Sequence, residues 1–417
     1  MPAPPPEPSP NEDRERRRRA FPKGRQTEPR AREEIRRLLG EGPYPRNLLI
    51  EYLHLIQDRH GHLSASHLAA LAEAMKLSQA DVFETATFYT HFDVVKESET
   101  PPPELTVRVC SGIACAIAGA KALADELELG EGVRVIGAPC VGACHKAPVA
   151  VLGDAQLAPA TAEAVAAAVA GGESQSPLPD YLDFAAYSAG GGYQVLHQCR
   201  DGAMTRSAVL ATVEAAGLRG LGGAGFPAAG KWRFVLDAPK PRLVVVNADE
   251  GEPGTFKDRQ CLESDPHRVL EGALVAAWAV EAAEIYIYLR DEYPQVRQIL
   301  GAEIAKIEGG EIVGGVRIHL RRGAGSYVCG EETALLESLE GKRGLPRNRP
   351  PYPATKGLFG RPTLVHNVET LFWLRQILER GADWYVGAGR PRLYSVSGRV
   401  SKPGVKLAPS GITVNAL

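Results

Sequence analysis

Two stretches of this 417-residue chain, LTVRVCSGIAC (residues 105–115) and VRVIGAPCVGAC (residues 133–144), decide most of its fold and chemistry. Each opens with a run of β-branched residues, which predicts a strand, and each ends in two cysteines. The four cysteines are Cys110, Cys115, Cys140 and Cys144, spaced C-x4-C and C-x3-C. Two strand ends lying side by side would bring four thiolates to one point, so the sequence predicts a metal site there.

The cysteine spacing favours an iron–sulfur cluster over zinc. Structural zinc sites prefer C-x2-C knuckles, and neither pair has that spacing. Wider spacing suits a 2Fe–2S cluster, whose two irons each take two thiolates. Zinc stays an alternative, and His145 could replace one ligand, although a surface histidine is the favoured interpretation. The three other cysteines are scattered, and an odd total of seven fits a reducing compartment better than a disulfide framework.

Composition narrows the class of protein. The formal net charge is −2 and the pI is about 6.6, which gives no electrostatic footprint for nucleic acid. No apolar run reaches the length of a membrane-spanning helix, and the N-terminus lacks the apolar core of a signal peptide. We therefore expect a cytoplasmic protein that binds no nucleic acid and does not insert directly into a membrane, although partner subunits could hold it peripherally on one.

Changes in composition along the chain predict six segments. Pro, Glu and Arg dominate the first of them, which predicts disorder, and Gly, Ser and Pro mark an interdomain linker. The predicted segments are a disordered tail (1–30), a helical bundle (31–100), a cysteine domain (104–171), a linker (172–192), a second α/β domain (193–392) and the start of a small β domain (393–417). The order of elements over 104–171 resembles thioredoxin without its C-x-x-C pair.

The second α/β domain is predicted to contain a mainly parallel sheet. Its strands and helices alternate, and this alternation is typical of a sheet with helices on its faces. The predicted strands are 243–247, 284–289 and 316–320, and the predicted helices between them are 267–282 and 294–308. The fold class is therefore α/β throughout, after an N-terminal helical bundle.

A glycine-rich loop opens this domain. Gly220, Gly222, Gly223 and Gly225 lie within one G-x-G-x-x-G pattern. The residues before it look helical, whereas a Rossmann loop must follow a strand, so an ordinary Rossmann unit is disfavoured. The glycines still permit close approach of a flat ring or a phosphate, and Lys231 could supply a positive charge. A plain glycine-rich turn is the alternative.

Two further segments carry candidate ligands. Asn247, Asp249, Glu250 and Glu252 follow a predicted strand, at the edge where open α/β sheets bind ligands. Structural helix caps are the alternative role for such acids. Residues 323–343 form the other segment, where glycines precede a helix that begins near Glu331. Free amides at that helix N-terminus would suit an electron-rich group.

These segments resemble a known family. The cysteine quartet, the helices before it and residues 86–92 resemble the thioredoxin-like 2Fe–2S subunit of complex I-type NADH dehydrogenases. Residues 200–392 resemble the FMN- and NADH-binding flavoprotein subunit of those enzymes. The motifs that carry this second resemblance are 217–227, 247–259, 330–341, 350–353, 356–360 and 367–370. The order of the two parts is similar to that in the diaphorase subunits of NAD-dependent formate dehydrogenases and NAD-reducing hydrogenases.

The resemblance implies cofactors and site residues. It implies FMN, NAD(H) and a 2Fe–2S cluster held by the four cysteines. The residues implied to line the flavin are Gly220, Gly222, Lys231, Asn247, Asp249, Glu250, Gly330, Glu331, Glu332, Asn367 and Thr370. Those implied to meet the dinucleotide are Phe226, Phe234, Glu252 and Tyr352, with the aromatic rings stacking on adenine. Glu250 and Glu252 are positional, and no catalytic acid or base is expected.

Two departures from the family pattern bear on these expectations. Ala229 stands where the family has glycine, and it would crowd the loop if that position had a positive φ. The family continues into a helical domain that binds a 4Fe–4S cluster. The cysteines of this sequence do not support such a cluster, so the β domain is expected to be truncated.

The expected function is that of an NADH:acceptor oxidoreductase, with NAD(H) and the iron–sulfur subunits of a larger complex as partners. An NAD-reducing subunit of a formate dehydrogenase or hydrogenase is the alternative to a quinone reductase. A 2Fe–2S electron-transfer module without flavin activity is the alternative from another class.

Overall fold

The computed structural model describes residues 24–130, 132–310 and 312–417. Most of the tail that the sequence predicts to be disordered lies outside these residues. The described residues form two compact units, one comprising those up to Thr87 with Phe92–Pro101 and the other Phe88–His91 with those from Pro102 to Leu417. The second unit therefore holds both the four cysteines and the glycine-rich segments.

The first unit is a small helical bundle. Its helices bury an apolar face that includes Ile35, Leu53 and Leu71. Ser64 begins the third helix as its N-cap, where the side-chain oxygen accepts a hydrogen bond from the amide of His67 at 3.1 Å. The elements are α1 (Pro29–Leu39), α2 (Leu49–His60), β1 (Leu63–Ser64), α3 (Ala65–Met75), α4 (Gln79–Phe88) and β2 (Val94–Val95).

The cysteine domain has a four-stranded sheet in the order β4-β3-β5-β6. Strands β3 and β4 are parallel, whereas β5 and β6 are antiparallel to their neighbours. The elements are β3 (Leu105–Cys110), α5 (Ile113–Ile117), α6 (Ala120–Glu126), β4 (Val133–Ala138), β5 (Ala150–Leu152), β6 (Ala155–Leu157) and α7 (Ala162–Gly171). Helix α5 begins three residues after Cys110, so Cys115 is a helical residue.

The larger sheet has the order β10-β7-β8-β9, and each of its three strand pairs is parallel. This confirms the prediction of a mainly parallel sheet. Its strands are β7 (Arg242–Ala248), β8 (Ala282–Leu289), β9 (Arg317–Arg322) and β10 (Thr363–Asn367). The predicted strands correspond to β7, β8 and β9. Strand β10 was not predicted, and it brings the 367–370 motif beside the end of β7.

Helices cover this sheet. Helix α13 packs so closely on α17 that a Cβ on Gly272 would lie 2.1 Å from the carbonyl oxygen of Leu371. The helices are α8 (Phe184–Ala189), α9 (Gln194–Arg200), α10 (Arg206–Ala215), α11 (Ala228–Leu236), α12 (Lys257–Ser264), α13 (Pro266–Val280), α14 (Pro294–Gly309), α15 (Glu332–Leu339), α16 (Pro353–Lys356), α17 (Val368–Arg380) and α18 (Ala382–Gly387).

The segment predicted as a linker over 172–192 differs from that expectation in its second half. Helix α8 lies there, and its Tyr187 is fully buried. The hydroxyl of Tyr187 donates to the buried carboxylate of Glu271 at 2.5 Å. Burial of this aromatic ring attaches helix α8 to the core of the second unit through Tyr187.

The last described strands are an antiparallel pair, β11 (Arg392–Val396) and β12 (Gly404–Ala408). Apart from Arg392, they lie within the segment 393–417 that the sequence predicts as the start of a β domain. Among the residues that the structure describes, no helix combines the length and apolar character needed to cross a membrane.

Candidate functional site

The four predicted metal ligands lie together at one edge of the smaller sheet. Strands β3 and β4 run parallel with Cys110 opposite Ala138, so both strands end on the same side of the sheet. All four cysteines are buried and unpaired by disulfides. The sulfur atoms of Cys140 and Cys144 are 3.3 Å apart. Parallel pairing therefore produces the convergence that the cysteine spacing predicts.

Hydrogen bonds between sulfur atoms join the four cysteines, and they lower the pKa of Cys115 and Cys140 while raising that of Cys110 and Cys144. The thiols of Cys110 and Cys144, followed by the backbone amides of Gly142 and Gly254, lower the pKa of Cys140 far below its usual value. The amide of Gly112 lies 3.4 Å from the sulfur of Cys110. Thiolate is the form that binds metal, so these surroundings suit a cluster ligand.

The three remaining cysteines are buried outside this group of sulfur atoms. Burial raises the pKa of Cys199 to about 11 and that of Cys329 to about 11, and it raises the pKa of Cys261 as well. These groups are protonated thiols at neutral pH. Buried, protonated cysteines of this kind behave as small apolar side chains.

His145 is not the surface histidine that the sequence favoured. Its ring stacks on Phe256 with centroids 4.6 Å apart, and Phe256 is buried in the same apolar cluster as the four cysteines. Burial lowers the pKa of His145 to about 4. Phe256 belongs to the acidic segment 247–259, so that segment contributes to the core around the cysteines.

The glycine-rich loop follows helix α10, as the sequence predicts, and is attached to the start of α17. The amide of Leu221 donates to the hydroxyl of Thr370 at 2.9 Å. A Cβ on Gly222 would lie 3.1 Å from that of Asn367, whereas Gly223 and Gly225 have positive φ and open space beside them. The loop is therefore held on one side and open on the other.

Asn247 and Asp249 lie where β7 ends. The side-chain amide of Asn247 donates to the carbonyl oxygen of Gly330 at 2.9 Å, and its side-chain oxygen accepts from the amide of Asp249 at 3.1 Å. One carboxylate oxygen of Asp249, Oδ2, is buried and has no hydrogen-bond partner among the described residues. Burial raises the pKa of Asp249 to about 7.

An unpaired buried acceptor at the end of β7 tests the fit of a flavin. Buried polar groups in native proteins are nearly always paired, so Asp249 Oδ2 calls for a donor such as a ligand hydroxyl. The open sides of Gly223 and Gly225 allow a ligand to approach the backbone closely. These residues fit FMN.

Glu250 has a different role from the ligand that the resemblance implied. Its buried carboxylate caps helix α12, accepting from the amide of Asp258 at 3.1 Å and from that of Arg259 at 3.2 Å. Burial, followed by the charge of Asp258, raises the pKa of Glu250 to about 7. Glu250 therefore fixes the shape of the acidic segment.

The prediction of free amides at the N-terminus of helix α15 was wrong. The carboxylate of Glu331 accepts from the amides of Thr333 and Ala334, both at 2.9 Å, and fills that position. The neighbouring Glu332 forms an ion pair with Lys231 at 2.8 Å. Lys231 also donates to the carbonyl oxygen of Val365 at 3.1 Å, which places its charge beside β10.

Asn367 and Thr370 lie at the junction of β10 and α17. Asn367 is the N-cap of α17, accepting from the amide of Glu369 at 3.0 Å, and its side-chain amide donates to Asp258 at 2.6 Å. The glycine loop, the acidic segment and the 367–370 motif are thereby joined by side chains that the sequence singled out.

Aromatic side chains near these segments are unusually exposed. Phe226 and Phe234 are 46% and 56% exposed, with ring centroids 6.2 Å apart, and Tyr352 is 59% exposed. Large exposed rings mark a surface that binds something flat or apolar. The contact of Phe226 and Phe234 with a dinucleotide stays a prediction.

Tyr327 is a residue that sequence reasoning missed. It is 64% exposed and its hydroxyl donates to the carboxylate of Glu252, while a Cβ on Gly251 would lie 3.4 Å from its ring. Its position between Gly325 and Gly330 in the third segment was the available signal. Ala229, by contrast, lies inside helix α11, so no positive φ is needed there and the expected crowding does not occur.

Comparisons with known proteins agree with these two regions. Residues 213–376 match the family described as Nuo51 FMN-binding domain, and residues 35–172 match the thioredoxin-like [2Fe-2S] ferredoxin family. The NAD-reducing hydrogenase HoxS subunit alpha of Cupriavidus necator is 34% identical over 421 residues, covering 89% of this chain and 69% of that protein.

Other relatives match little more than half of the chain. An NADH-quinone oxidoreductase subunit of Rhizobium meliloti is 45% identical over 254 residues, which cover 58% of this chain and 60% of the relative. The corresponding NADH-quinone oxidoreductase subunit of Aquifex aeolicus is 46% identical, with 55% and 56% covered. The match thus spans less than two thirds of the length of these two relatives.

A solved structure has the same arrangement over most of the chain. The crystal structure of an NAD⁺-reducing [NiFe]-hydrogenase in the H₂-reduced state superposes with a TM-score of 0.76 at 33% identity, covering 89% of this chain and 69% of that one. The chain belongs to the family of complex I-related flavoprotein subunits that includes the hydrogenase alpha subunit. It joins a thioredoxin-like [2Fe-2S] domain to an FMN-binding domain, which confirms the resemblance seen in the sequence.

Proposed function

We propose that this chain is the NADH:acceptor oxidoreductase module of a larger redox complex. It would exchange a hydride between NAD(H) and FMN and pass single electrons to its 2Fe–2S cluster. The observation that carries the proposal is the unpaired, buried Oδ2 of Asp249, which lies in the same compact unit as the four cysteines. A flavin-free electron-transfer module would have no use for that unsatisfied acceptor.

The flavin would be held by residues whose side chains or backbone face the open glycine loop. FMN, when bound, supplies the exchange between two-electron and one-electron chemistry. Asp249 accepts a hydrogen bond from a ligand hydroxyl, and Lys231 supplies positive charge. The supporting set is Gly220, Gly222, Gly223, Gly225, Asn247, Gly330, Glu332, Asn367 and Thr370. Glu250 and Glu331 act on the site by fixing the N-termini of α12 and α15.

The dinucleotide would lie against the exposed aromatic side chains. Phe226 and Phe234, with Tyr352, offer rings for stacking on adenine. Glu252 offers carboxylate oxygens to ribose hydroxyls, and its hydrogen bond from Tyr327 orients it. None of these residues needs to transfer a proton for a hydride to move, so their contribution is orientation and exclusion of water.

The full chain tests this proposal after anaerobic purification. We expect acid treatment to release about one FMN per chain, analysis to give about two irons and two sulfides, and NADH to reduce ferricyanide. Absence of FMN together with absence of this activity would leave the electron-transfer module as the function. Bound zinc in place of iron and sulfide would contradict the cluster.

A complex that reduces NAD⁺ is favoured over one that reduces quinone. The relative matched over 89% of this chain is a subunit of an NAD-reducing hydrogenase, whereas the two NADH-quinone oxidoreductase relatives match over 58% and 55%. The partner would then be an iron–sulfur subunit that delivers electrons from a hydrogenase or formate dehydrogenase. We expect the purified chain to reduce NAD⁺ with reduced benzyl viologen, and failure of this reaction while NADH oxidation persists would favour a quinone reductase.

A further inference from the structure

Arg290 joins the loop that carries Cys140 to the acidic segment. It follows strand β8 directly and is only 4% exposed. One of its terminal nitrogens donates to the carbonyl oxygen of Cys140 at 2.6 Å, and the other donates to the carbonyl oxygen of Glu250 at 2.5 Å. A single buried guanidinium thus contacts the main chain of a cluster ligand and the main chain of the proposed flavin segment.

Tyr293 lies beneath this guanidinium and makes a second connection between the Cys140 loop and Glu250. The Arg290 guanidinium carbon is 5.0 Å from the centre of the Tyr293 ring. The tyrosine hydroxyl donates to the carboxylate of Glu250 at 3.2 Å. A Cβ on Gly142, two residues after Cys140, would lie 2.5 Å from the Tyr293 ring. The cluster loop therefore packs directly against the residues that hold Glu250.

The charges around Arg290 are unevenly arranged. Its counter-charge is Glu292, which it contacts at 3.0 Å and which is itself 17% exposed. Arg259 also reaches the cluster loop, with its guanidinium 3.4 Å from the carbonyl oxygen of Gly142, but it is bonded to Glu263 at 2.7 Å. Arg290 is thus the more deeply buried of these two cations, and water screens its charge least.

We propose that Arg290 sets the reduction potential of the cluster held by the four cysteines, and that Glu292 opposes it. The inference rests on the proposed function, because it requires the 2Fe–2S cluster. Reduction adds one negative charge to the cluster, and a buried positive charge nearby favours that change. Arg290 is a positioning residue, since it contacts the Cys140 main chain and none of the sulfurs.

Because Arg290 also contacts Glu250, its loss would affect the proposed flavin site as well as the cluster. The same guanidinium holds the carbonyl oxygen of Glu250, and the Glu250 carboxylate fixes the start of α12. Loss of Arg290 would remove a positive charge from the surroundings of the cluster. It would also remove the hydrogen bond that braces the acidic segment. Arg290→Lys separates the charge from the bracing, because it keeps the positive charge and loses most of the bracing hydrogen bonds.

A redox titration of the cluster, monitored by EPR, tests the proposal. Dithionite and mediators set the potential, and NADH is left out. The variants are Arg290→Gln, Arg290→Lys and Glu292→Gln. Arg290→Gln should lower the midpoint potential by about 59 mV, a tenfold fall in the ratio of reduced to oxidised cluster at fixed ambient potential. Arg290→Lys should stay near the wild type, and Glu292→Gln should raise the potential. Arg297→Gln is the control, because Arg297 is 27% exposed and pairs with Asp154.

The outcomes separate this inference from the proposed function. Unchanged potentials in Arg290→Gln and Glu292→Gln, in proteins that retain the cluster signal, would overturn the inference and leave the flavin chemistry intact. Equal shifts in Arg290→Gln and Arg290→Lys would also overturn it, because bracing alone would then explain the effect. If Arg290→Gln fails to assemble the cluster, the direction of the Glu292→Gln shift decides. Failure of the proposed function appears instead as absence of FMN in the wild-type protein.

Discussion

The side-chain amide of Asn367 donates to Asp258 at 2.6 Å, while its side-chain oxygen caps helix α17 by accepting from the amide of Glu369 at 3.0 Å. One side chain therefore connects the end of β10 to the start of α12. Asp258 is also paired with Lys257 at 2.7 Å, so the connection lies inside a buried polar network. Removal of a partner from such a network leaves an unsatisfied group.

Two substitutions separate the functions of Asn367. Asn367→Ala removes the cap and the amide donor, whereas Asn367→Ser retains a capping oxygen. We expect the free energy of unfolding to fall in both variants, with Asn367→Ser more stable than Asn367→Ala by about 1 kcal/mol, the usual worth of an N-cap. Both variants should retain less FMN than the wild type. Urea denaturation and flavin release measure the two effects, and equal stability of the two variants would contradict the capping role.

The sequence predicted strands β7, β8 and β9 closely but not β10. Strands β7 and β8 contain the long apolar runs that central parallel strands need, and β9 (RIHLRR) follows the strand–helix alternation at the edge of the sheet. Strand β10 has five residues, including His366 and Asn367, and it pairs with β7, which lies far from it in the chain. Such pairing depends on tertiary contacts that local periodicity does not encode, so the 367–370 motif was recognisable while its strand was not.

The location of the ligand site stays a prediction, whereas the structure shows what two of its acidic side chains contact. Sequence reasoning assigned Glu250 and Glu331 to a ligand, and the structure gives both carboxylates to helix N-termini. Acidic residues just before a helix have two chemically similar uses, capping an amide or accepting from a ligand. Which use applies depends on where the preceding loop places the carboxylate, and spacing alone does not determine that.

The four clustered cysteines should respond differently from the three others. Cys140→Ser should abolish the 2Fe–2S absorbance and lower bound iron, because its sulfur lies 3.3 Å from that of Cys144 within the quartet. Cys199→Ser is the matched control, since Cys199 is equally buried and lies outside the quartet. It should retain iron and sulfide. Loss of iron in the control alone would contradict the assignment.

The exposed phenylalanines should affect the dinucleotide more than the chemistry. Phe226→Ala and Phe234→Ala should each raise the KM for NADH about two- to tenfold, because an aromatic stacking contact is worth about 0.5–1.5 kcal/mol. The kcat with saturating NADH should change little. Phe83→Ala is the control, an exposed phenylalanine of helix α4. A fall in kcat with unchanged KM would argue against stacking on the dinucleotide.

The buried His366 should give the protein a measurable dependence of stability on pH. Trp232 donates to its Nε2 at 2.6 Å, and burial, followed by the charge of Lys231, lowers its pKa to about 3. In the unfolded chain an ordinary histidine titrates near 6.5, so between these values the unfolded state binds the extra proton. Stability from this group is therefore complete above about pH 6.5 and declines as the pH falls toward 3.

His366→Gln keeps an acceptor for Trp232 and removes the titration. We expect its loss of unfolding free energy between pH 7.5 and 5.5 to be smaller than that of the wild type by about 1 kcal/mol, the linkage expected for one histidine over one unit below its unfolded pKa. Urea denaturation at the two pH values measures the difference, and other titrating groups contribute equally to both proteins. His197→Gln, at an exposed helical position, controls for the substitution itself. Parallel profiles for the wild type and His366→Gln would show that His366 is protonated within the fold.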